Sequence, residues 1–134
     1  MDLPTLKSGP TARIVTWIVS VVPALGIGLA GASKLAGANP WRALFLGWGY
    51  PAWCSTVVGI AEVAGAIGLL VPRLAAYAAL ALMGVMMGAL VTLVTHPGGP
   101  MGWGATPLLY LVLLAIVAAT RWRARAGGRN APVR

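Results

Sequence analysis

The residue in this chain best placed to do chemistry is Glu62, a carboxyl inside an apolar run from about Ala52 to Val71. It sits about ten residues from either end of that run, near the midplane of any bilayer the run crosses. A carboxyl at that depth must face protein or water and not lipid. It reads either as a proton-handling or ligand-binding group or as a neutral, hydrogen-bonded structural one. Ser55, Gly59, Gly65, Ala66 and Leu69 share its helical face at three- and four-residue steps. Most of these are small, so a second helix can approach closely there. Lys34, in Gly31-Ala32-Ser33-Lys34-Leu35, is its natural partner. Two geometries are open. The lysine can snorkel to the outer interface. Alternatively, a first helix kinked or tilted by Pro23 and its glycines can bring the ammonium down to Glu62, with Arg42 as the fallback cation. Glu62 and Lys34 are the candidate catalytic residues.

Aromatic side chains form a second group. Trp41, Leu44, Phe45 and Trp48 recur at i, i+3, i+4 and i+7, which puts them on one helical face. Asn39 is a good N-cap and Pro40 a good first helical residue, while Gly47 and Gly49 end the element. A short amphipathic helix over Asn39–Gly47, lying in the outer interface, is therefore expected. Trp53 and Trp103 belong at the same level. Such rings read either as an aromatic belt or as a lid over a flat hydrophobic ligand. The second reading makes Trp41, Phe45, Trp48, Tyr50, His96 and Trp103 the candidate ligand-binding residues. His96 opens a stretch to Gly104 with two prolines and four glycines, which forbids a regular helix. A lone histidine there is a polar interface residue or a ligand-facing one.

Other chemistries are poorly served. Cys54 is the single cysteine, so the chain forms no internal disulfide and no cysteine metal cage. One histidine does not build a haem or zinc site. Met83, Met86 and Met87 resemble a soft copper-ligand set, but methionine is more often packing filler. No metal is expected.

These residues need a scaffold, and composition names it. Of 134 residues, 59% are hydrophobic and 9% charged. Soluble domains carry roughly a quarter charged residues, so a soluble enzyme or nucleic-acid-binding module is excluded. A mean hydropathy of +0.85 agrees. Four apolar stretches run from about Ile14 to Ser33, Ala52 to Val71, Leu74 to Thr95 and Trp103 to Thr120. Each is roughly 18–22 residues, about 27–33 Å as helix, enough to cross the hydrocarbon core. Helices are the state in which such segments satisfy their backbone in lipid. The expected fold is all-α: an integral membrane four-helix bundle with an interfacial helix between spans one and two. The first run exceeds the length of a signal-peptide core and is expected to be retained.

Basic residues orient it. Lys7, Arg13, Arg73, Arg121, Arg123, Arg125, Arg129 and Arg134 fall on one side, Lys34 and Arg42 on the other. That bias places both termini in the cytoplasm of a multi-pass cell-membrane protein. The +8 net charge is thus an orientation signal and no sign of a nucleic-acid partner. The expected organisation is a cytoplasmic segment 1–13, a membrane domain 14–120 and a basic disordered tail 121–134, which touches anionic lipid. Val71-Pro72-Arg73 forces spans two and three into a hairpin. Gly84/Gly88, Gly26/Ala30 and Ala61/Gly65 are small-xxx-small pairs, most of them expected to pack within the bundle.

Three runs carry a family resemblance: Gly28-Leu29-Ala30-Gly31-Ala32-Ser33-Lys34-Leu35-Ala36-Gly37, Leu46-Gly47-Trp48-Gly49-Tyr50-Pro51, and Gly59-Ile60-Ala61-Glu62 onward to Arg73. With Met87-Gly88-Ala89 and Thr95-His96, their order and spacing resemble the DoxX-like membrane proteins over roughly residues 14–120. The resemblance implies a four-helix bundle in the cytoplasmic membrane, with Lys34 and Glu62 as the family's polar positions. The family takes its name from a thiosulfate:quinone oxidoreductase subunit, and other relatives are linked to redox complexes or to maturation of other proteins. Fold alone does not assign activity. Lacking a cysteine pair, this chain would use a bound quinone or a partner's cofactor in any redox role. Three readings follow. One is a subunit that binds a hydrophobic molecule, with quinone the candidate cofactor, beside a redox complex or as a homo-oligomer. The second is a non-enzymatic assembly factor or structural subunit. The third is a proton-coupled small-molecule exporter.

Overall fold

A computed structural model of the chain describes residues 9–37, 40–96 and 105–129, with the side chains of the last segment described to 126. It is all-α: α1 Pro10–Leu35, α2 Trp41–Gly47, α3 Trp53–Leu70, α4 Ala75–Thr95 and α5 Ala105–Arg129. Four of these, all but α2, are long and apolar enough to cross a membrane. The expected spans correspond to α1, α3, α4 and α5.

The helices close a ring. α3 packs on α1 and α4, and α5 packs on α4 and α1. Ala24, Ile27, Ala66, Leu69, Ala79, Leu82, Met86, Leu114 and Val117 fill its centre. The outward faces are apolar too: Ile14, Ile18, Leu25 and Leu29 on α1 are all more than half exposed. In water such a surface would drive aggregation; in a bilayer it is the lipid contact. Met86 is 5% exposed in the core and Met87 is 51% exposed on the outside, so the methionines do not converge as a ligand set. Among the described residues no group of histidine, cysteine and acidic side chains stands together as a metal site.

Local chemistry sets the helix ends. Val71 precedes Pro72 and is extended (φ −92°, ψ 112°), because the proline ring disfavours the helical region for its predecessor. α3 therefore stops at Leu70, and the amide of Ala75 bonds back to Val71 O to start α4. Pro23 lies within α1 and is buried, and the helix continues through it to Leu35. Pro40 occupies the N-cap of α2 instead of its first turn; the expected Asn39 cap lies outside the described residues.

The tail differs from expectation. Regular structure was expected to end near Thr120, but α5 continues to Arg129. Arginine and alanine are good helix formers. In addition, Arg121 and Arg125 lie over the rings of Trp17 and Tyr77 on neighbouring helices, which ties the extra turns to the bundle.

The candidate site at the loop end of the bundle

α1 and α3 cross where neither has a side chain. A Cβ added at Gly31 would stand 2.8 Å from both Glu62 Cβ and Gly59 O. One added at Gly59 would stand 3.0 Å from Gly31 O and from Lys34 Cβ. This bare crossing lets the backbones touch and so brings the two charged residues together. The buried stripe of α3 is Ser55, Gly59, Glu62, Ala66 and Leu69, with Gly68 beside it. Gly65, from the same small face, receives Leu82 of α4.

Lys34 Nζ donates to Glu62 Oε2 at 2.6 Å, and the two side chains are 6% and 5% exposed. The lysine thus reaches inward and does not snorkel. The ammonium also lies 4.3 Å from the centroid of the Trp41 ring, a cation–π distance. The Trp41 indole N–H donates to Ser33 Oγ at 3.0 Å, and Ser33 in turn donates to Ala30 O. A residue of the short helix therefore covers the ion pair and is latched to the residue preceding the lysine.

α2 carries the expected face. Trp41, Leu44, Phe45 and Trp48 are half-buried, while Arg42, Ala43, Leu46 and Gly47 between them are exposed. Its C-terminus closes through Gly49, whose φ of +80° suits glycine. Gly49 N–H bonds to Leu46 O and Tyr50 N–H to Phe45 O. The accompanying contact is ring on ring, with Phe45 and Tyr50 centroids 6.0 Å apart. This turn aims Tyr50 at α4, where its hydroxyl is 3.0 Å from Thr92 Oγ1. His96 joins it: its ring lies 6.2 Å from that of Tyr50, and Nδ1 is 2.9 Å from Thr95 Oγ1 and 3.2 Å from Thr92 O. Trp48 meets Phe45 with ring centroids 5.8 Å apart and planes tilted by 52°.

The sequence-predicted residues thus fall into two groups joined by α2. Lys34, Glu62 and Trp41 form a polar group over the α1–α3 crossing. Phe45, Trp48, Tyr50 and His96 form an aromatic row leading to α4. Trp53 is 63% exposed and belongs to the outer surface. Trp103 lies outside the described residues. Sequence reasoning missed Ser33 and Thr92 as hydrogen-bond partners and the Gly31/Gly59 pair as the crossing. Gly31 is three residues before Lys34 and Gly59 three before Glu62, and that matching offset was the available signal. The Gly84/Gly88 pair, by contrast, is exposed and has nothing among the described residues within 4 Å of an added Cβ at either glycine, so it packs against none of the described helices.

The architecture and this pair define a class: a multi-pass helical membrane protein with an intramembrane ion pair roofed by an interfacial helix. Within that class, the chain belongs to the DoxX-like family, whose model matches residues 18–123. No curated relative and no solved structure matches the chain.

Proposed function

We propose that this DoxX-like protein binds a hydrophobic molecule with a polar carbonyl head, with quinone the leading candidate, beneath α2 at the loop end, in association with a redox complex. One observation supports this most directly. The Lys34–Glu62 pair is enclosed at a helix crossing and roofed by a single indole, and intramembrane ionisable groups are functional candidates by default. Displacing Trp41 from the ammonium would give a carbonyl oxygen a charged donor. Glu62 would accept or return the proton that quinone reduction requires. The aromatic row of Phe45, Trp48, Tyr50 and His96 would lie along the ring and tail.

We further infer that both termini are cytoplasmic, from the basic residues gathered at their end of the bundle. The site then faces the opposite side. A structural reading is favoured by a different observation: the two charges are paired with each other and neither side chain is open to solvent. The pair would then fix the α1–α3 crossing in a non-enzymatic subunit.

Mass spectrometry of protein extracted in mild detergent separates the two. Ligand binding predicts a retained quinone in the wild type and its loss from Trp41→Ala and Glu62→Gln variants that remain folded. A stoichiometric partner chain with no retained small molecule supports the structural reading instead.

A further inference from the structure

The other end of the bundle holds positive charge that no acidic side chain among the described residues balances. Arg121 and Arg125 are half-buried on α5, one helical turn apart, whereas Arg123 between them is exposed. The Arg121 guanidinium lies 5.9 Å from the Trp17 ring of α1. Its Nη2 reaches Ser20 Oγ at 3.4 Å, a long bond, and Ser20 is fully buried. Nε of Arg121 is enclosed and has no hydrogen-bond partner among the described residues. A guanidinium carries five N–H donors, and one long bond engages one of them. Arg125 lies 4.8 Å over the Tyr77 ring of α4, and Tyr77 meets Trp122 edge to face at 6.4 Å.

Among the described residues no carboxylate serves this cluster. Glu62 is the only acidic side chain among the described residues, and Lys34 holds it at the opposite end. Trp17 lies against the guanidinium of Arg121 and Tyr77 against that of Arg125, and a guanidinium fork matches a phosphate geometrically. Trp17, Tyr77 and Trp122 are 43%, 58% and 55% exposed around it. Exposed amphipathic rings of this kind sit at headgroup depth.

We propose that Arg121 and Arg125 form a phosphate-binding site at the terminal end of the bundle, with Trp17, Ser20 and Tyr77 positioning them. The group is a phosphodiester or phosphomonoester, and the surrounding exposed rings favour an anionic lipid headgroup over a soluble phosphate. This goes beyond general attraction of a basic tail to lipid, because it assigns the binding to two arginines and not to their equally charged neighbour. It is independent of the reading of the opposite end.

The test uses the full chain reconstituted in phosphatidylcholine vesicles containing phosphatidylglycerol as the minor lipid. The protein is re-extracted in mild detergent and retained lipid is quantified by mass spectrometry. The wild type should hold phosphatidylglycerol well above its share. Arg121→Gln and Arg125→Gln should each lower that enrichment about fivefold, as expected for one interfacial arginine, while Arg123→Gln leaves it unchanged. Arg121→Lys keeps the charge, loses the fork and should fall partway, which tests the site even if Arg121→Gln does not fold. Displacement by millimolar inorganic phosphate would keep the site and assign it to a soluble phosphate; resistance assigns it to lipid. No enrichment in the wild type, or equal losses in all three glutamine variants, would reduce the cluster to diffuse charge and overturn the proposal.

Discussion

Replacing Lys34 by methionine tests the central contact directly. Methionine keeps the length of the stem and removes the ammonium that lies 2.6 Å from Glu62 Oε2. The carboxyl then stays at a crossing whose walls are Gly31, Gly59 and Val63, with a side chain 5% exposed. Breaking a buried pair by removing one partner costs about 3–5 kcal/mol, because the remaining charge is uncompensated. Glu62→Gln should cost less, about 1–3 kcal/mol. The lysine left behind can either keep its contact with the Trp41 ring, 4.3 Å away in the wild type, or extend its flexible stem to carry the ammonium to the membrane surface. In Lys34→Met/Glu62→Gln no charge remains to be stranded, so the double variant should recover much of the single losses. The resulting coupling is about 2–3 kcal/mol. The assay is a four-variant cycle of thermal denaturation in one mild detergent. Additive losses, with coupling below about 0.5 kcal/mol, would show that the two groups do not depend on each other in the folded bundle.

Three further outcomes are expected. Gly31→Ala should destabilise the bundle by about 1–3 kcal/mol, since its Cβ would lie 2.8 Å from Gly59 O and the two helices must part; Gly88→Ala, with open space at its Cβ, should be neutral or stabilising by up to about 1 kcal/mol. A melt in which Gly88→Ala is the more damaging would reverse that assignment. Trp41→Phe keeps a ring over Lys34 but loses the donor to Ser33, at a cost of about 0.5–1.5 kcal/mol in the same assay. Finally, with Cys54 replaced by serine, an introduced Ala131→Cys should react with a membrane-impermeant thiol reagent only after the inner membrane is permeabilised; reaction in intact spheroplasts would invert the inferred orientation.

Membrane residence, the number of spans and the amphipathic face of α2 could be read from the sequence alone. Each is a local property: apolar runs of bilayer length, and large apolar side chains at i, i+3, i+4 and i+7 ended by glycines. The small face around Glu62 was legible for the same reason, since helical periodicity places Ser55, Gly59, Ala66 and Leu69 beside it whatever they pack against. The tail was misjudged because composition alone does not register the ring contacts that hold Arg121 and Arg125.

Whether Lys34 snorkels outward or turns in on Glu62 was a question of tertiary structure. The residues are 28 apart, and either outcome suits the same lysine at the end of the same helix. The decision rests on how closely α1 approaches α3, and the bare backbone at Gly31 and Gly59 sets that distance. The use of each small-residue pair is likewise a matter of rotation about a helix axis. Gly31 faces a neighbour, while Gly84 and Gly88 face outward. A glycine spacing shows where close packing is permitted; only the packed bundle determines which of the permitted faces is turned inward.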